Sequence, residues 1–337
     1  MARLAAQVAA TRVAVRDALA AVRRSQLVLV ACSGGADSMA LAQAAVFMAP
    51  RLGHRVGLVT VDHGLQPGSA ERAGAVAQWG ASVHLNPSVA VTVTVDGPGG
   101  PEAAARDARY TALVAAAHEH GASTVLLGHT LDDQAETVLL ALARGSGPRG
   151  LAGMPSNRKI DGVTFLRPFL DIGRDDTRKA CAALGLQVWD DPHNADPAYA
   201  RARVRATALP ALVDALGPGV VANLAHTARL AAQDAAVLEA LTAEALAAAR
   251  RSGGLSVVAL TTQAPAVRAR VLRAWALSLG CSPSALSHRH VDALDALVTA
   301  WRGQGPTDLP GGIRIVRTMG LLRRAPPAGP NRTAGQP

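Results

Sequence analysis

The stretch that decides the fold is Leu27-Val28-Leu29-Val30-Ala31-Cys32-Ser33-Gly34-Gly35-Ala36-Asp37-Ser38. Its first residues form a short apolar run rich in valine and leucine, which predicts a buried strand. The small polar residues that follow predict a tight turn that opens a helix. Gly34 and Gly35 let the backbone approach an anion closely, and the free amides and dipole of a helix N-terminus favour negative charge. The stretch therefore predicts a phosphate cradle.

Asp37 is the most informative residue of this loop. A carboxylate beside phosphates is repulsive unless it caps backbone amides or holds a magnesium ion. Ser33 and Ser38 add hydroxyl donors. The spacing matches neither G-x-x-x-x-G-K-[ST] nor G-x-G-x-x-G, which argues against a Walker A loop and a Rossmann dinucleotide loop. A plain serine-glycine turn with an aspartate cap is the alternative that the loop alone leaves open.

The loop resembles the Ser-Gly-Gly-x-Asp-Ser signature of the PP-loop ATP pyrophosphatases. The resemblance implies an α/β fold with a parallel, Rossmann-like sheet of the adenine nucleotide alpha hydrolase type. In that superfamily the loop grips the pyrophosphate while ATP is split between its α and β phosphates. Asp37 would hold magnesium. The ATP-binding residues of the loop would be Ser33, Gly34, Gly35, Ala36, Asp37 and Ser38.

Polar residues follow two further predicted strands. Asp62 and His63 follow the strand from Arg55 to Val61, and Gly128 and His129 follow Val125 to Leu127. Ligands of parallel α/β sheets bind beyond the carboxyl ends of the strands, so these residues are expected at the ATP site, with Asp62 and His63 contacting adenine or ribose. A simple strand-terminal turn explains Asp62 and His63 equally well.

Three carboxylate residues lie in the first turns of the predicted helix that follows His129. Asp132 and Glu136 share one face and Asp133 lies beside them, while Leu131, Ala135, Val138, Leu139 and Leu142 form the predicted buried stripe. The carboxylates complement the helix dipole. At a strand end beside an ATP loop they are equally suited to hold magnesium or receive an amine.

Arg106 and Arg109 lie on one face of a predicted helix with Glu102. Their spacing fits two interpretations. They form part of an exposed salt bridge with Glu102, or they are a guanidinium pair that binds phosphate.

Six ordered boxes across residues 27–210 make the chain similar to the tRNA(Ile)-lysidine synthetases. That family implies that ATP adenylates the ring position-two oxygen of the wobble cytidine in the CAU anticodon of tRNA(Ile). The amine of free L-lysine then displaces AMP. The catalytic residues implied by the resemblance are Asp37, Arg106, Arg109, Asp132, Asp133 and Glu136. Beyond the loop, the boxes are Asp62 to Leu65, Glu102 to Tyr110, Gly128 to Thr137, Arg144 to Leu151, Arg167 to Leu170 and Asp191 to Tyr199.

One departure follows the last box. Family members carry an Arg-Asn pair where this chain has Arg201-Ala202-Arg203-Val204-Arg205, so the contact of that asparagine cannot be transferred to Ala202. Arg201, Arg203 and Arg205 keep the cationic spacing that suits an RNA backbone.

Composition fits this assignment without proving it. The 337 residues suffice for two domains, and the formal charge of +9 suits a polyanionic partner, although a GC-rich coding sequence gives the same balance. Cys32, Cys181 and Cys281 form no CxxC pair, which favours a reducing compartment. No run of 18 apolar residues occurs, so a soluble, cytoplasmic protein is expected.

The domain expectation is a catalytic PP-loop domain over residues 1–210, a smaller, mainly helical tRNA-binding domain over 211–324 and a disordered tail over 325–337. The second domain should contain long helices, a strand from Leu255 to Leu260 and a hairpin through residues 313–317. Three rivals remain. A tRNA thiolase normally needs paired cysteines, an amidotransferase needs an ammonia source, and a non-catalytic tRNA-binding protein would show a damaged loop.

Overall fold

The computed structural model describes residues 5–64, 66–95, 101–189, 191 and 196–325, without the side chains of residues 101–103. The chain divides into two compact units, Met1–Ala232 and Gln233–Pro337. This division falls inside one long helix rather than at residue 210, where the composition changes. The predicted tail lies outside the described residues apart from Ala325.

The first unit is built on a six-stranded sheet with the strand order β3-β2-β1-β4-β6-β5. Strands β1, β2, β3, β4 and β6 are parallel, and β5 is an antiparallel edge strand. This confirms the predicted parallel α/β sheet. The strands are β1 (Leu27–Ala31), β2 (Arg55–Asp62), β3 (Ser88–Thr92), β4 (Ala122–Leu127), β5 (Asn157–Ile160) and β6 (Val163–Leu166).

Helices cover both faces of this sheet, as parallel sheets require. One buried cluster lies beneath α1, α2 and α7, and a second lies beneath α4. A π-helical turn, Val204–Ala208, joins α8 to α9. The helices of this unit are α1 (Ala6–Leu19), α2 (Ala36–Met48), α3 (Ser69–Ser82), α4 (Pro101–Glu119), α5 (Leu131–Ala143), α6 (Pro148–Leu151), α7 (Arg174–Ala183), α8 (Ala200–Arg203) and α9 (Leu209–Leu216).

The strand order reverses between β1 and β4. The chain moves from β1 outward to β2 and β3, then returns to place β4 on the other side of β1. A crevice opens at such a reversal beyond the carboxyl ends of the strands, and ligands of α/β sheets bind there. The loop at Ser33 to Ser38 follows β1 and Gly128-His129 follows β4, so both flank this point.

The second unit combines helices with a five-stranded antiparallel sheet of order β7-β8-β11-β10-β9. The predicted terminal hairpin is confirmed, since β10 pairs with β11. Its core includes the fully buried Leu255, Leu272 and Ile315. The remaining elements are α10 (Val220–Ala249), which begins in the first unit, β7 (Arg250–Arg251), β8 (Gly254–Ser256), α11 (Val257–Thr261), α12 (Pro265–Ser278), α13 (His288–Thr299), β9 (Thr307–Leu309), β10 (Ile313–Thr318) and β11 (Leu321–Arg324).

The predicted strand from Leu255 to Leu260 is wrong beyond Ser256. Helix α11 begins at Val257, with the Ser256 hydroxyl accepting the Ala259 amide at 3.3 Å as an N-cap. Val257 and Leu260, three residues apart, point into the core. A short apolar run fits either element by periodicity, and here the serine cap decides for the helix.

Within the described residues, no single helix is long and apolar enough to cross a membrane. One pair, Ala200–Leu216 and Val220–Ala249, reaches that length and composition only when its parts are taken together across a bend of 102°.

Candidate active site

A cavity of about 730 Å³ opens at the carboxyl ends of β1, β2 and β4. It lies at the reversal of strand order, where the sequence places the phosphate loop. Gly34, Arg106, Asp132, Glu136 and Arg203 do not line it. The predicted residues that do are Ser33, Gly35, Ala36, Asp37, Ser38, Asp62, His63, Arg109, Gly128, His129, Asp133, Arg201 and Arg205.

The phosphate loop is braced by the Ser38 hydroxyl. Its Oγ accepts the Ser33 amide at 3.1 Å and donates to the Gly35 carbonyl at 2.9 Å. Gly35 caps α2 with extended backbone, and no side chain caps the helix N-terminus. The first amides of α2 therefore remain available to an anion in the cavity.

Two glycines in this region are required by geometry. Gly34 has a φ of +86°, and a Cβ there would lie 3.0 Å from Val76 Cγ2. At Gly128 a Cβ would lie 3.2 Å from the backbone carbon and oxygen of Asp37. Side chains at these positions would strain the loop or push β4 away from the start of α2.

Asp37 lies in the first turn of α2, where its Oδ1 accepts a short hydrogen bond from the Thr177 hydroxyl. Its Oδ2 is 3.7 Å from Arg174 Nε. Burial raises the pKa of Asp37 above its ordinary value, although Thr177 and Arg174 favour the charged form. The Asp37 carboxylate is thus only partly solvated, and it lies beside the amides that form the anion cradle.

Asp62 and His63 differ in their surroundings. Asp62 Oδ1 accepts the Gly64 amide at 2.9 Å, and this hydrogen bond lowers the pKa of Asp62. Asp62 therefore builds the strand-terminal turn as well as lining the cavity. Burial and the charge of Arg109 lower the pKa of His63, and its buried Nδ1 has no hydrogen-bond partner in the described part of the chain.

A wall of the cavity comes from residues that were not among the predicted site residues. The Trp189 amide donates to the Gly34 carbonyl at 3.0 Å, which ties this segment to the phosphate loop. The Arg72 guanidinium stacks 4.5 Å from the centre of the Trp189 ring. Gln66 donates to Asp191 Oδ1 at 2.8 Å. Much of the predicted box from Asp191 to Tyr199, namely residues 192–195, lies outside the described residues.

Asp133 and Glu136 form a buried acidic pair on α5. Asp133 Oδ2 accepts the Thr130 amide at 2.8 Å, which closes a capping box. The Glu136 side chain is 0% exposed, so this carboxylate has left water entirely. Asp132 lies apart from the pair and accepts the Arg174 amide at 2.8 Å. A buried carboxylate pair requires cationic partners.

Arg174 is the main such partner, and the sequence analysis missed it. Its Nη2 is 2.9 Å from Asp133 Oδ1, and its Nη1 is 3.2 Å from Glu136 Oε1. Burial opposes the charge of Arg174, but the two carboxylates raise its pKa above the ordinary value. Arg174 begins α7, and its only signal in the sequence is a cation at a helix start, a position that the helix dipole disfavours.

The predicted RNA-binding arginines separate into two kinds. Arg205 Nε lies 2.7 Å from Glu136 Oε1, and Arg201 Nε lies 3.6 Å from Glu136 Oε2. Both guanidiniums thus cover the acidic pair. Arg203 is exposed and donates to the carbonyls of Pro197 and Ala198. A role in holding RNA phosphates stays a prediction for all three.

Arg109 and His129 complete the cavity wall. Burial, which outweighs the charge of Asp133, lowers the pKa of His129 to about 3, and so His129 is neutral near pH 7. Burial also lowers the pKa of Arg109, whose buried Nε has no hydrogen-bond partner among the described residues. The cavity wall therefore holds a neutral histidine beside an arginine whose Nε has no hydrogen-bond partner among the described residues.

The buried face of α5 differs from the predicted apolar stripe. Ala135 and Val138 are buried, but Leu142 is 51% exposed. The Gln134 amide instead points inward, donating to the Met154 carbonyl at 2.9 Å and accepting the Met154 amide at 2.7 Å. The helix buries polar groups because they have tertiary partners, which hydrophobic periodicity does not reveal.

The three cysteines are buried and unbridged. Cys32 and Cys181 pack in the same core cluster beneath the phosphate loop. Burial raises the pKa of all three thiols, that of Cys181 to about 11. None of them is therefore a reactive thiolate near neutral pH.

Each of the two units matches a known protein family. Residues 7–212 match the family described as a PP-loop domain, and residues 255–323 match the TilS substrate binding domain. In solved structures, the fold is similar to that of the U34-tRNA thiolase NcsA from Methanococcus maripaludis, which holds a 4Fe-4S cluster. That likeness has a TM-score of 0.54 at 18% identity and covers 67% of this chain and 80% of the thiolase, so it shows the fold alone.

Curated relatives match nearly the whole chain. The tRNA(Ile)-lysidine synthase of Salinispora tropica is 62% identical over 329 residues, which cover 97% of this chain and 99% of the relative. That of Streptomyces coelicolor is 57% identical over 297 residues, covering 88% and 84%. With both family matches in order and the phosphate loop and acidic pair in one site, the chain belongs to the tRNA(Ile)-lysidine synthase family.

Proposed function

We propose that this protein joins free L-lysine to the wobble cytidine of the CAU anticodon of tRNA(Ile), in the cytoplasm, at the expense of ATP. The observation that carries the proposal is a cavity lined both by the phosphate cradle at Ser33 to Ser38 and by Asp133, whose buried partner Glu136 lies directly behind it on the shared Arg174 guanidinium. Asp37 and Arg174 link the two features. The phosphate cradle suits the phosphates of ATP, and the acidic pair suits the ammonium group of lysine.

The first step is activation of the cytidine. The ring position-two oxygen attacks the α-phosphorus of ATP, pyrophosphate leaves, and an adenylated cytidine results. The amides at the start of α2 would hold the departing pyrophosphate, and Arg109 would stabilise the charge that develops in the cavity. Oxygen on a pyrimidine leaves poorly until it becomes a phosphate ester, so activation divides one hard step into two easier ones.

The second step is displacement by lysine. The ammonium of the bound lysine first gives a proton to the Asp133 carboxylate, the resulting neutral amine attacks ring position two, AMP leaves with the oxygen, and the attached nitrogen loses its second proton to the solvent. Asp133 and Glu136 would bind and orient the lysine as its ammonium form, because paired carboxylates in a desolvated site bind a cation strongly. Arg201 and Arg205 cover these oxygens in the structure, so lysine must displace at least one guanidinium.

Magnesium fits this site only together with ATP. The described residues contain no group of three or more ligating side chains able to hold a metal ion. A magnesium ion bound through one carboxylate plus phosphate oxygens requires Asp37 alone. When bound, it would neutralise negative charge on the phosphates.

The proposal is tested by incubating the protein with ATP, isotopically labelled lysine and a panel of tRNA transcripts, followed by nucleoside analysis. We expect label only in tRNA(Ile) with a CAU anticodon, in a nucleoside whose mass equals cytidine plus lysine minus water. A sulfur-containing nucleoside without lysine would identify a thiolase instead. Binding of tRNA without any modified nucleoside would identify a non-catalytic binding protein.

A further inference from the structure

Four arginines surround the ring of Tyr110 beside the cavity. The guanidinium carbons of Arg106, Arg109 and Arg158 lie 5.9, 5.8 and 5.8 Å from the ring centre. Arg167 Nη2 donates to the Tyr110 hydroxyl at 3.0 Å. We call these four residues, Arg106, Arg109, Arg158 and Arg167, the arginine cluster. Of the four, only Arg109 has a role in the reaction described above.

The fold brings these side chains together on one face of the sheet. Arg158 on β5 is directly opposite Phe165 on β6, and opposite residues of an antiparallel pair project to the same face. Arg167, two residues beyond Phe165, projects to that face as well. The Phe165 ring packs against the Tyr110 ring on α4 with centroids 5.1 Å apart. The arrangement therefore depends on a packed aromatic pair, not on flexible surface chains.

The charge of the cluster is not balanced within the described part of the protein. None of Arg109, Arg158 and Arg167 forms an ion pair with a carboxylate whose side chain is described. Arg167 is 3% exposed, and the buried Nε atoms of Arg109 and Arg167 lack hydrogen-bond partners there. Glu102, four residues before Arg106 in the sequence, has its side chain outside the described part, so the statement concerns Arg109, Arg158 and Arg167.

Buried cations without counter-charge are costly, and like charges repel. Contact with the negative face of the Tyr110 ring offsets part of this cost. The remaining positive potential favours an anion supplied from outside. The triphosphate is not that anion in our account, because its cradle is the loop after β1, whereas Arg158 lies on the edge strand β5.

We infer that the arginine cluster is a phosphodiester subsite for the tRNA strand that enters the cavity. The inference rests on the proposed function. A cytidine placed in the cavity leaves the phosphates on its two sides at the rim, and Arg109 lines the cavity while Arg158 is exposed at the sheet edge. The cluster thus extends from the reacting base toward solvent, where the RNA backbone must run.

The test measures tRNA affinity over a salt series for the wild type, Arg158→Ala and a matched control, Arg55→Ala. Arg55 is an exposed arginine on a strand of the same sheet, but it begins β2 at the end opposite the cavity. Each phosphate contact contributes roughly one unit to the slope of log affinity against log salt. We expect Arg158→Ala to lower the slope magnitude by about one and weaken binding several-fold at low salt. Arg55→Ala should match the wild type.

Further measurements separate this inference from other outcomes. The KM values for ATP and lysine should not change in Arg158→Ala, because the lost contact is to RNA and not to the triphosphate. Unchanged thermal unfolding shows that the variant is folded. If the wild type forms lysidine while Arg158→Ala keeps the wild-type slope and affinity, the subsite is refuted and Arg158 only protects the sheet edge. If the wild type neither binds nor modifies tRNA, the proposed function itself is refuted.

Discussion

Arg205 covers the carboxylate of Glu136, with Nε 2.7 Å from Oε1 and Nη2 3.1 Å from Oε2. Glu136 is completely buried, whereas the Arg205 side chain remains 30% exposed. Arg205 lies on the π-helical turn Val204–Ala208, a rare conformation that often marks functional segments. The Arg205 guanidinium therefore occupies the position proposed for the ammonium of lysine. Because its side chain is partly exposed, it can move into solvent when lysine binds.

The variant Arg205→Ala should bind lysine more tightly. Removing a cation that competes for Glu136 should lower the lysine dissociation constant about 3- to 10-fold, the size of a partly exposed ion pair. Calorimetric titration with lysine measures this. Arg203→Ala is the control, since Arg203 donates to the backbone carbonyls of Pro197 and Ala198. A weaker affinity in Arg205→Ala would instead mean that Arg205 contacts the substrate directly.

Changes in the phosphate loop should abolish ATP-dependent activity without unfolding the protein. Gly34→Val introduces a side chain at a φ of +86° against Val76, and Asp37→Ala removes the carboxylate beside the cradle. We expect activity to fall at least about 100-fold in each, as for other groups that stabilise transition-state charge. Gly53→Ala is the matched control. Its φ is +80°, but nothing lies within 4 Å of a Cβ there. Near-native turnover of either loop variant with unchanged circular dichroism would exclude the cradle.

Stability should fall as the pH drops below the ordinary histidine range. His129 has a pKa lowered from 6.5 to about 3, so the unfolded chain takes up a proton that the folded protein does not. The resulting stability is fully present above pH 6.5 and is lost as the pH falls toward 3. Near pH 5.5 the loss is about 1.4 kcal/mol. Urea unfolding across this range should show a flatter profile for His129→Asn, and the wild-type profile for a change at the exposed His288. Identical profiles for the two variants would contradict the assignment.

The three cysteines should be dispensable for chemistry. Each thiol is buried with a raised pKa, so replacing Cys32, Cys181 and Cys281 by alanine or serine should cost stability but leave lysine transfer intact. Cavity formation at Cys32 and Cys181, both 2% exposed, should account for most of the stability loss. Nucleoside analysis of tRNA treated with the cysteine-free protein measures the outcome. A folded but inactive protein would show that a thiol is needed for activity and contradict this prediction.

The structural features that the sequence predicts correctly are those set by residues adjacent in the chain. The strand at Leu27 to Ala31, the loop after it and the polar residues at the carboxyl ends of β2 and β4 follow from local patterns, and the structure places them together. Arg174 was missed because its carboxylate partners lie about 40 residues earlier on another helix. Leu142 was misassigned because periodicity identifies a face of α5 but not what packs against it. Long-range pairing thus decided what local patterns could not.

The most direct test separates the two half-reactions in Glu136→Gln. This variant keeps the size of the side chain and removes its charge, and Asp175→Asn at an exposed position of α7 serves as the control. With saturating tRNA(Ile) and ATP, the account predicts that Glu136→Gln, checked by circular dichroism to be folded, still releases pyrophosphate and accumulates adenylated tRNA. Lysine incorporation should be lost or need a far higher lysine concentration, while Asp175→Asn behaves as the wild type. Lysine transfer at the wild-type KM would contradict the claim that the acidic pair binds the amine.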